Sequence, residues 1–359
     1  MNDLILHGMI DAHVHLREPG ATQKEDVLSG TQAALAGGVV GVLDMPNNTP
    51  PITRTERFAA KQALFATKAV ADYGLFAGSD GSHLDQVVAM APQAVGLKLY
   101  LDETFGDLRN REPRSLAETF EAWPGPGPIA VHAESESIRV SLDLARRYRQ
   151  HLHICHVPHP DELLAIDAAR QQGVTVTCEV TPHHLFLSDE AVGRLGSLAQ
   201  MKPPLVSPAD RDLFWDRLPL VDLIATDHAP HTREEKAAAD PPPGVPGLET
   251  TLPLLLAAVD EGRLTPERML ELVYTRPLEV YGLAAPESKV VLDLSQGRYQ
   301  LPLDGYHTRC GWSPFGGQWA LGRVVSVTLR GRVVWQGGEL LASPGSGRRL
   351  ERAVSRDLP

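Results

Sequence analysis

Short apolar or β-branched runs punctuate the first 285 residues, and almost every run ends in a polar side chain. "GMIDAHVH" leads into the opening loop, "GGVVGVLDMPN" ends at Asn47, "DYGLFAGS" ends near Ser79 and "AVGLKLYL" carries Lys98. "GPIAVHAES" carries His132, "HLHICHV" carries His156, "GVTVTCEVTPHH" carries Glu179 and "VDLIATDHAPH" carries Asp227. Between most of these runs lie stretches with helical character, such as "EDVLSGTQAALAGG" and "PDELLAIDAARQQGV", stopped by Gly37, Gly38 and Gly173. Strand alternating with helix eight times predicts an α/β protein with parallel strands, closed into a (β/α)8 TIM-type barrel over residues 9–285. In such a barrel the polar residues at the C-terminal ends of the strands converge on one mouth.

After residue 285 the period changes. "SKVVLDL" and "GRVVSVTLRGRVVWQGGEL" alternate with glycine turns and carry no helical repeat, which predicts antiparallel strands. Residues 286–345, with 1–8, are expected to form a small β annex built mainly from the C-terminal segment. The polar, Gly/Pro/Ser-containing stretch 346–359 is expected to be a flexible tail.

Composition narrows the function classes. With 43% hydrophobic residues the chain can bury a large core, and a net charge of −11 disfavours nucleic acid or a membrane surface as partner. Cys155, Cys178 and Cys310 are too few and too scattered for a disulfide framework, so a reducing compartment is expected. No secretory leader precedes the first motif and no apolar run is of membrane-spanning length, which reads as a cytoplasmic protein.

The candidate chemistry sits at the strand ends. In "DAHVH", the period of two points His13 and His15 to one face, where both can reach one metal ion. His132, His156 and Asp227 each close a different strand, and imidazole with carboxylate is the donor set zinc favours. Lys98 lies inside an apolar strand, where an unpaired ammonium costs several kcal/mol. A buried ion pair, an amine extended to the barrel mouth, or a carbamate formed with CO2 would each relieve that cost.

"DAHVHLREPG", "MPN", "GLKLYL", "VHAE", "HICHV", "CEVTPHHL" and "TDHAPHT", in this order, resemble the dihydroorotases of the amidohydrolase superfamily, in particular the dihydroorotase domain of the animal multifunctional pyrimidine-synthesis protein. The resemblance continues through "PPPGVPGLETTLPLLL" into "GWSPFGGQ". It implies two Zn2+ ions, one held by His13, His15 and Asp227, the other by His132 and His156. A carboxylated Lys98 and a hydroxide bridge them, and Asp227 is also general acid and base. The implied reaction is the reversible cyclisation of N-carbamoyl-L-aspartate to L-dihydroorotate in pyrimidine biosynthesis. Arg17, Asn47 and His231 match contacts to the substrate carboxylate, and Thr104 and Phe105 match a mobile loop that covers it. Cys155 and Glu179 match ligands of an additional metal, which implies a third Zn2+. At Lys202 in "MKPPL" the animal pattern has an arginine, which leaves that carboxylate contact open. His183 and His184 are read as structural.

The resemblance further implies a homodimer, and association with aspartate transcarbamoylase is in keeping with it. Two other readings stay open. Hydantoinases and allantoinases share the metal scaffold, and a catalytically inactive relative would serve as a scaffold for the transcarbamoylase. Arg17 speaks against the first and the intact ligand set against the second.

Overall fold

The computed structural model describes residues 3–104 and 108–353. Its centre is a ring of parallel strands. Met9–Val14 (β2) pairs with Val39–Asp44 (β3), which pairs with Asp72–Leu75 (β4). Ala77–Gly78 (β5) continues β4 beyond Phe76 and pairs with Leu97–Tyr100 (β6). Ile129–His132 (β7), Leu152–Ile154 (β8), Val176–Val180 (β9) and Leu223–Ile224 (β10) follow in register. Counting β4 and β5 as one strand bent at Phe76, the described residues give the eight strands expected. The last strand meets the first through a parallel bridge between Val14 and His228. Asp11 braces this seam, since its Oδ1 accepts from the Thr226 amide at 3.1 Å. Every residue of β2 and β3 is buried, as befits parallel strands covered on both faces.

The local signals act where the sequence placed them. The helix Val27–Ala36 (α1) starts on a capping box between Asp26 and Ser29 and stops at Gly37. The helix Pro160–Gln171 opens with proline at its first turn and is followed by Gly173 at φ +85°. Strand segments are shorter than the apolar runs that announced them. Cys155, His156 and Asp227 therefore stand on the loops just beyond β8 and β10, which frees their side chains to point into the mouth.

The second sheet is antiparallel. Asp3–Leu6 (β1), Ser288–Gln300 (β11), Trp319–Leu329 (β12), Arg332–Gln336 (β13) and Glu339–Leu340 (β14) lie in that order. Between β11 and β12 the chain leaves the sheet and returns to the barrel, where Trp312 Nε1 donates to the His231 carbonyl at 2.9 Å. The annex thus touches the loop carrying a predicted site residue.

The expected tail is a correction up to Ala353. Gly347 donates to the Ala69 carbonyl at 2.9 Å and Leu350 to the Tyr73 carbonyl at 2.8 Å, while the Leu350 side chain is buried in the main core. One leucine and a few backbone bonds outweigh the polar composition that suggested disorder. Among the described residues no helix is long and apolar enough to cross a membrane.

One buried ion pair sets the geometry of two loops. Lys61, on the helix Thr55–Lys68 (α2), lies 2.6 Å from Asp44 at the end of β3, and both are sealed from solvent. The same ammonium donates to the Met45 carbonyl at 2.7 Å and to Asn48 Oδ1 at 2.8 Å, while Asp44 Oδ1 accepts from the Leu16 amide at 2.7 Å. Burial pushes the Asp44 carboxyl up and the Lys61 ammonium down, each partly offset by the other. Removing one partner strands a buried charge, so Lys61→Met is expected to cost ~3–5 kcal/mol, and the Asp44→Ala/Lys61→Met double variant less than that. Urea midpoints of the three proteins check this, and a double variant weaker than Lys61→Met would reject it.

Candidate active site

His13, next to the last residue of β2, faces the mouth, and His15 follows just beyond the strand on the same side, with ring centroids 5.2 Å apart. Their Nε2 atoms lie 3.3 and 3.1 Å from a single oxygen, Asp227 Oδ1. The other ring nitrogens are spoken for. His15 Nδ1 is 2.7 Å from Asn47 Oδ1, and His13 Nδ1 is 2.5 Å from Glu179 Oε1; both oxygens are acceptors in this assignment, so each Nδ1 donates. A histidine whose Nδ1 proton is held by such a partner presents Nε2 to a cation, the usual support for a metal ligand.

On the opposite side, His132 Nδ1 and His156 Nε2 approach to 2.9 Å; His132 Nε2 stands 3.7 Å from Glu134 Oε1, and among the described residues it and His156 Nδ1 are buried with no partner within hydrogen-bond range. Burial holds both rings below the usual histidine range, assisted at His132 by the Lys98 charge against the pull of Glu134, and at His156 by His132, Lys98 and His13. Buried nitrogens of this kind normally have a partner. Lys98 reaches the same space, its Nζ donating to Cys155 Sγ at 2.9 Å and standing 5.2 Å from the Tyr100 ring centre.

These side chains fit a metal centre. His13, His156 and Asp227 offer one donor atom each within 4.8 Å of one another, and so do His13, Cys155 and Glu179. Two donors on a tetrahedral zinc ion with bonds near 2.0–2.1 Å lie about 3.3 Å apart, close to the separations from His13 and His15 to Asp227. With its proton on Nδ1, His15 also turns a lone pair toward an Asp227 oxygen, an arrangement a cation relieves.

The electrostatics follow from this packing. Burial alone would favour a protonated Asp227, but His13, His15 and His156 hold its carboxyl well below the usual range. Burial drives His15 down to about 3 despite Asp227. His13 is raised to about 10, because Glu179 and Asp227 flank it and overcome burial and the Lys98 charge. Glu179 is held well below its ordinary value against the burial cost by His13 and His153, with His153 Nε2 3.0 Å away. Three of the residues that shape this mouth, Arg17 (φ 61°), His156 (φ 31°) and Asp227 (φ 47°), adopt left-handed backbone that non-glycine residues seldom hold.

Beside the histidine cluster, Arg17 is buried and pairs with the loop after β10 rather than with its neighbour Glu18. Its Nε donates to the Pro230 carbonyl at 3.1 Å and an Nη lies 3.1 Å from His231 Nε2. Glu18 is taken by Lys68. The structure brings together His13, His15, Lys98, His132, His156, Asp227, Cys155 and Glu179, with Asn47 held against His15 and the Arg17–His231 pair alongside. Thr104 lies half-buried on the loop after β6; Phe105 is outside the described residues. Lys202 is exposed and close enough to Glu134 to lower that carboxyl. His183 and His184 are buried, and His184 Nε2 donates to the Pro204 carbonyl at 3.2 Å while Nδ1 lies 2.9 Å from the Thr181 hydroxyl.

Sequence reasoning passed over Lys24, Asp44, Lys61 and His153. Lys24 and Lys61 lie off the strands, His153 within β8 and Asp44 at the end of β3, and each acts through a partner that no local pattern marks.

Residues 2–100 match a family model described as "Dihydro-orotase-like". The multifunctional protein CAD of Squalus acanthias is 45% identical over 96% of this chain, which spans 15% of that protein's length. A dihydroorotase of Halobacterium salinarum is 34% identical over 95% of this chain and 88% of its own. Among solved structures, the L-hydantoinase of Arthrobacter aurescens superposes with a TM-score of 0.91 at 25% identity, covering 98% of this chain and 89% of that one. The inactive dihydroorotase-like domain of the Chaetomium thermophilum CAD-like protein superposes at 0.82 with 24% identity over 97% and 99%. With a full-length dihydroorotase aligned across seven-eighths of its length and the strand-end residues gathered at one barrel mouth, the chain belongs to the dihydroorotase family of cyclic amide hydrolases.

Proposed function

We propose that this protein is a dihydroorotase that interconverts L-dihydroorotate and N-carbamoyl-L-aspartate in pyrimidine biosynthesis. The observation that carries the reading is the placing of Arg17 and His231, 3.1 Å apart, beside the cluster built on Asp227. That arrangement suits a cyclic amide bearing a carboxylate. Arg17 keeps its charge although burial lowers its pKa to about 10, and a guanidinium holds a carboxylate through paired, charge-assisted hydrogen bonds.

His13, His15 and Asp227 would hold one zinc ion and His132 and His156 a second, and Lys98, carboxylated on Nζ, would add a further anionic ligand. When bound, this pair would supply Lewis acidity, lowering the pKa of a water molecule and polarising the ring carbonyl. The steps left to the protein are positional and protonic. Asn47 and Glu179 keep the Nε2 faces of His15 and His13 toward the centre. Asp227, ionised because its histidine neighbours stabilise the carboxylate, accepts the proton of the attacking water. It then delivers that proton to the leaving ring nitrogen, and the reverse sequence closes the ring. Thr104 and Phe105 are proposed to cover the substrate. Cys155 and Glu179, which share a donor group with His13, are proposed as ligands of a third zinc ion. A cytoplasmic homodimer, able to associate with aspartate transcarbamoylase, completes the reading.

Zinc-supplemented protein is expected to open L-dihydroorotate and to leave hydantoin and allantoin, which lack the ring carboxylate, essentially untouched. Parallel turnover assays decide it. Preference for either neutral ring would overturn the substrate assignment, and zinc binding without turnover of any of the three would favour the inactive scaffold.

A further inference from the structure

The turn that carries Asp227 is held from both sides. Its backbone at φ 47° is a conformation that costs ~1–3 kcal/mol and persists where the surroundings over-determine it. On one side Asp11 takes the Thr226 amide. On the other, His228 is fully buried and engaged at each of its polar atoms. Its amide donates to Thr226 Oγ1 at 2.9 Å, and its carbonyl accepts from the His15 amide at 2.8 Å. Its Nδ1 accepts from the Gly247 amide at 3.2 Å, and its Nε2 stands 3.4 Å from Glu25 Oε2.

These partners decide the tautomer of His228. A backbone N–H can only donate, so Nδ1 carries the lone pair and the ring proton sits on Nε2, directed at a carboxylate that accepts it. Gly247 is itself fixed, its carbonyl accepting from the Thr250 and Thr251 hydroxyls at 3.2 and 2.9 Å. A Cβ on Gly247 would stand 3.0 Å from the Thr226 Cβ, so glycine is what lets this amide close on the ring.

Glu25, sealed from solvent on the segment leading into α1, is where three parts of the molecule meet. The Thr308 hydroxyl donates to its Oε2, the Arg309 amide lies 3.2 and 3.3 Å from its two oxygens, and the Ser29 hydroxyl of α1 lies against Oε1. Thr308 and Arg309 belong to the excursion of the chain between β11 and β12. Glu249 steadies the same excursion, accepting from the Thr308 amide at 2.9 Å and the His307 amide at 3.0 Å. One buried carboxylate thus ties α1 and the annex excursion to the residue that follows Asp227.

We propose that Glu25 and His228 are positioning residues: the Glu25 carboxylate, held by the annex excursion, accepts a hydrogen bond from His228 Nε2 and so sets where the Asp227 carboxylate stands against the reacting atoms. The reaction is that of the dihydroorotase reading; the pairing and the tautomer do not depend on it.

The test compares wild type with Glu25→Gln, which keeps the shape but brings an NH2 group among donors, and with His228→Asn, which keeps an acceptor for Gly247 and cannot reach Glu25. Each variant is expected to lower kcat for dihydroorotate opening by about tenfold to 10²-fold, the scale of a small misplacement of a reacting group, with KM within about threefold of wild type and zinc content near it. The double variant is expected to be no slower than the slower single variant, because both changes break one link. In 15N-histidine spectra, with the His228 signals assigned by their loss in His228→Asn, wild type is expected to show a protonated Nε2 and an unprotonated Nδ1, and Glu25→Gln to shift both signals. A wild-type His228 protonated on Nδ1, His228 signals unmoved in Glu25→Gln, unchanged kcat in either variant, or losses that multiply in the double variant would each overturn the proposal. Should Glu25→Gln not fold, the wild-type spectrum and the kcat of His228→Asn decide it. If wild type opens no dihydroorotate, the substrate reading fails, and the nitrogen spectra alone decide the pairing.

Discussion

Asp227→Asn is expected to leave the fold intact and to reduce dihydroorotate opening by ~10²–10⁴-fold, the range typical of a positioned proton-transfer group. The amide has nearly the shape of the carboxylate, so what is lost is the charge and the ability to take a proton. Two contacts make the effect large. Asp227 Oδ1 lies 3.1–3.3 Å from both His15 and His13, and the carboxyl is held ionised by them, ready to accept at neutral pH. The measurement is kcat and KM in both directions on protein with measured zinc content. If the variant binds as much zinc as wild type and turns over within about tenfold of it, Asp227 is a ligand only and the proton must travel by another route.

The second large effect is expected at Lys98. Lys98 is fully buried at the barrel mouth, and its hydrogen bond to a described residue goes to a thiol, Cys155, at 2.9 Å. An ammonium so enclosed is costly. Conversion to a carbamate would turn the cation into an anionic ligand that the surrounding imidazoles can share with bound metal. Lys98→Gln preserves most of the volume and cannot form the carbamate. Zinc is therefore expected to fall by at least one ion per chain, with activity lost to about the extent seen for Asp227→Asn. Metal analysis of Cys155→Ser in the same series separates the third site, since that variant should lose no more than one ion and retain the central pair. Full zinc content in Lys98→Gln would reject the bridging role.

Much of the site was legible before any coordinates. The period of two in "DAHVH" placed His13 and His15 on one face, and the recurrence of polar residues behind apolar runs placed Lys98, His132, His156 and Asp227 at one mouth. These are local patterns, a few residues long, and backbone geometry converts them directly into position. The strand-and-helix alternation announced the barrel for the same reason. The tail was misjudged because composition measures the average of a segment, whereas Leu350 and the backbone bonds of Gly347 and Leu350 decide its docking one contact at a time.

What the chain by itself determined, then, is which residue types stand at which strand ends, because side-chain alternation and helix stop signals act over a single turn or pleat. Only the tertiary structure decided who supports them. Arg17 meets His231 across 214 positions, Lys24 meets it across 207, Trp312 reaches the His231 carbonyl across 81, and His13 meets Glu179 across 166. No local period encodes such pairs. They exist because closing the ring sets the first strand against the last, and burial then compels each enclosed polar atom to find a partner wherever the closure has placed one.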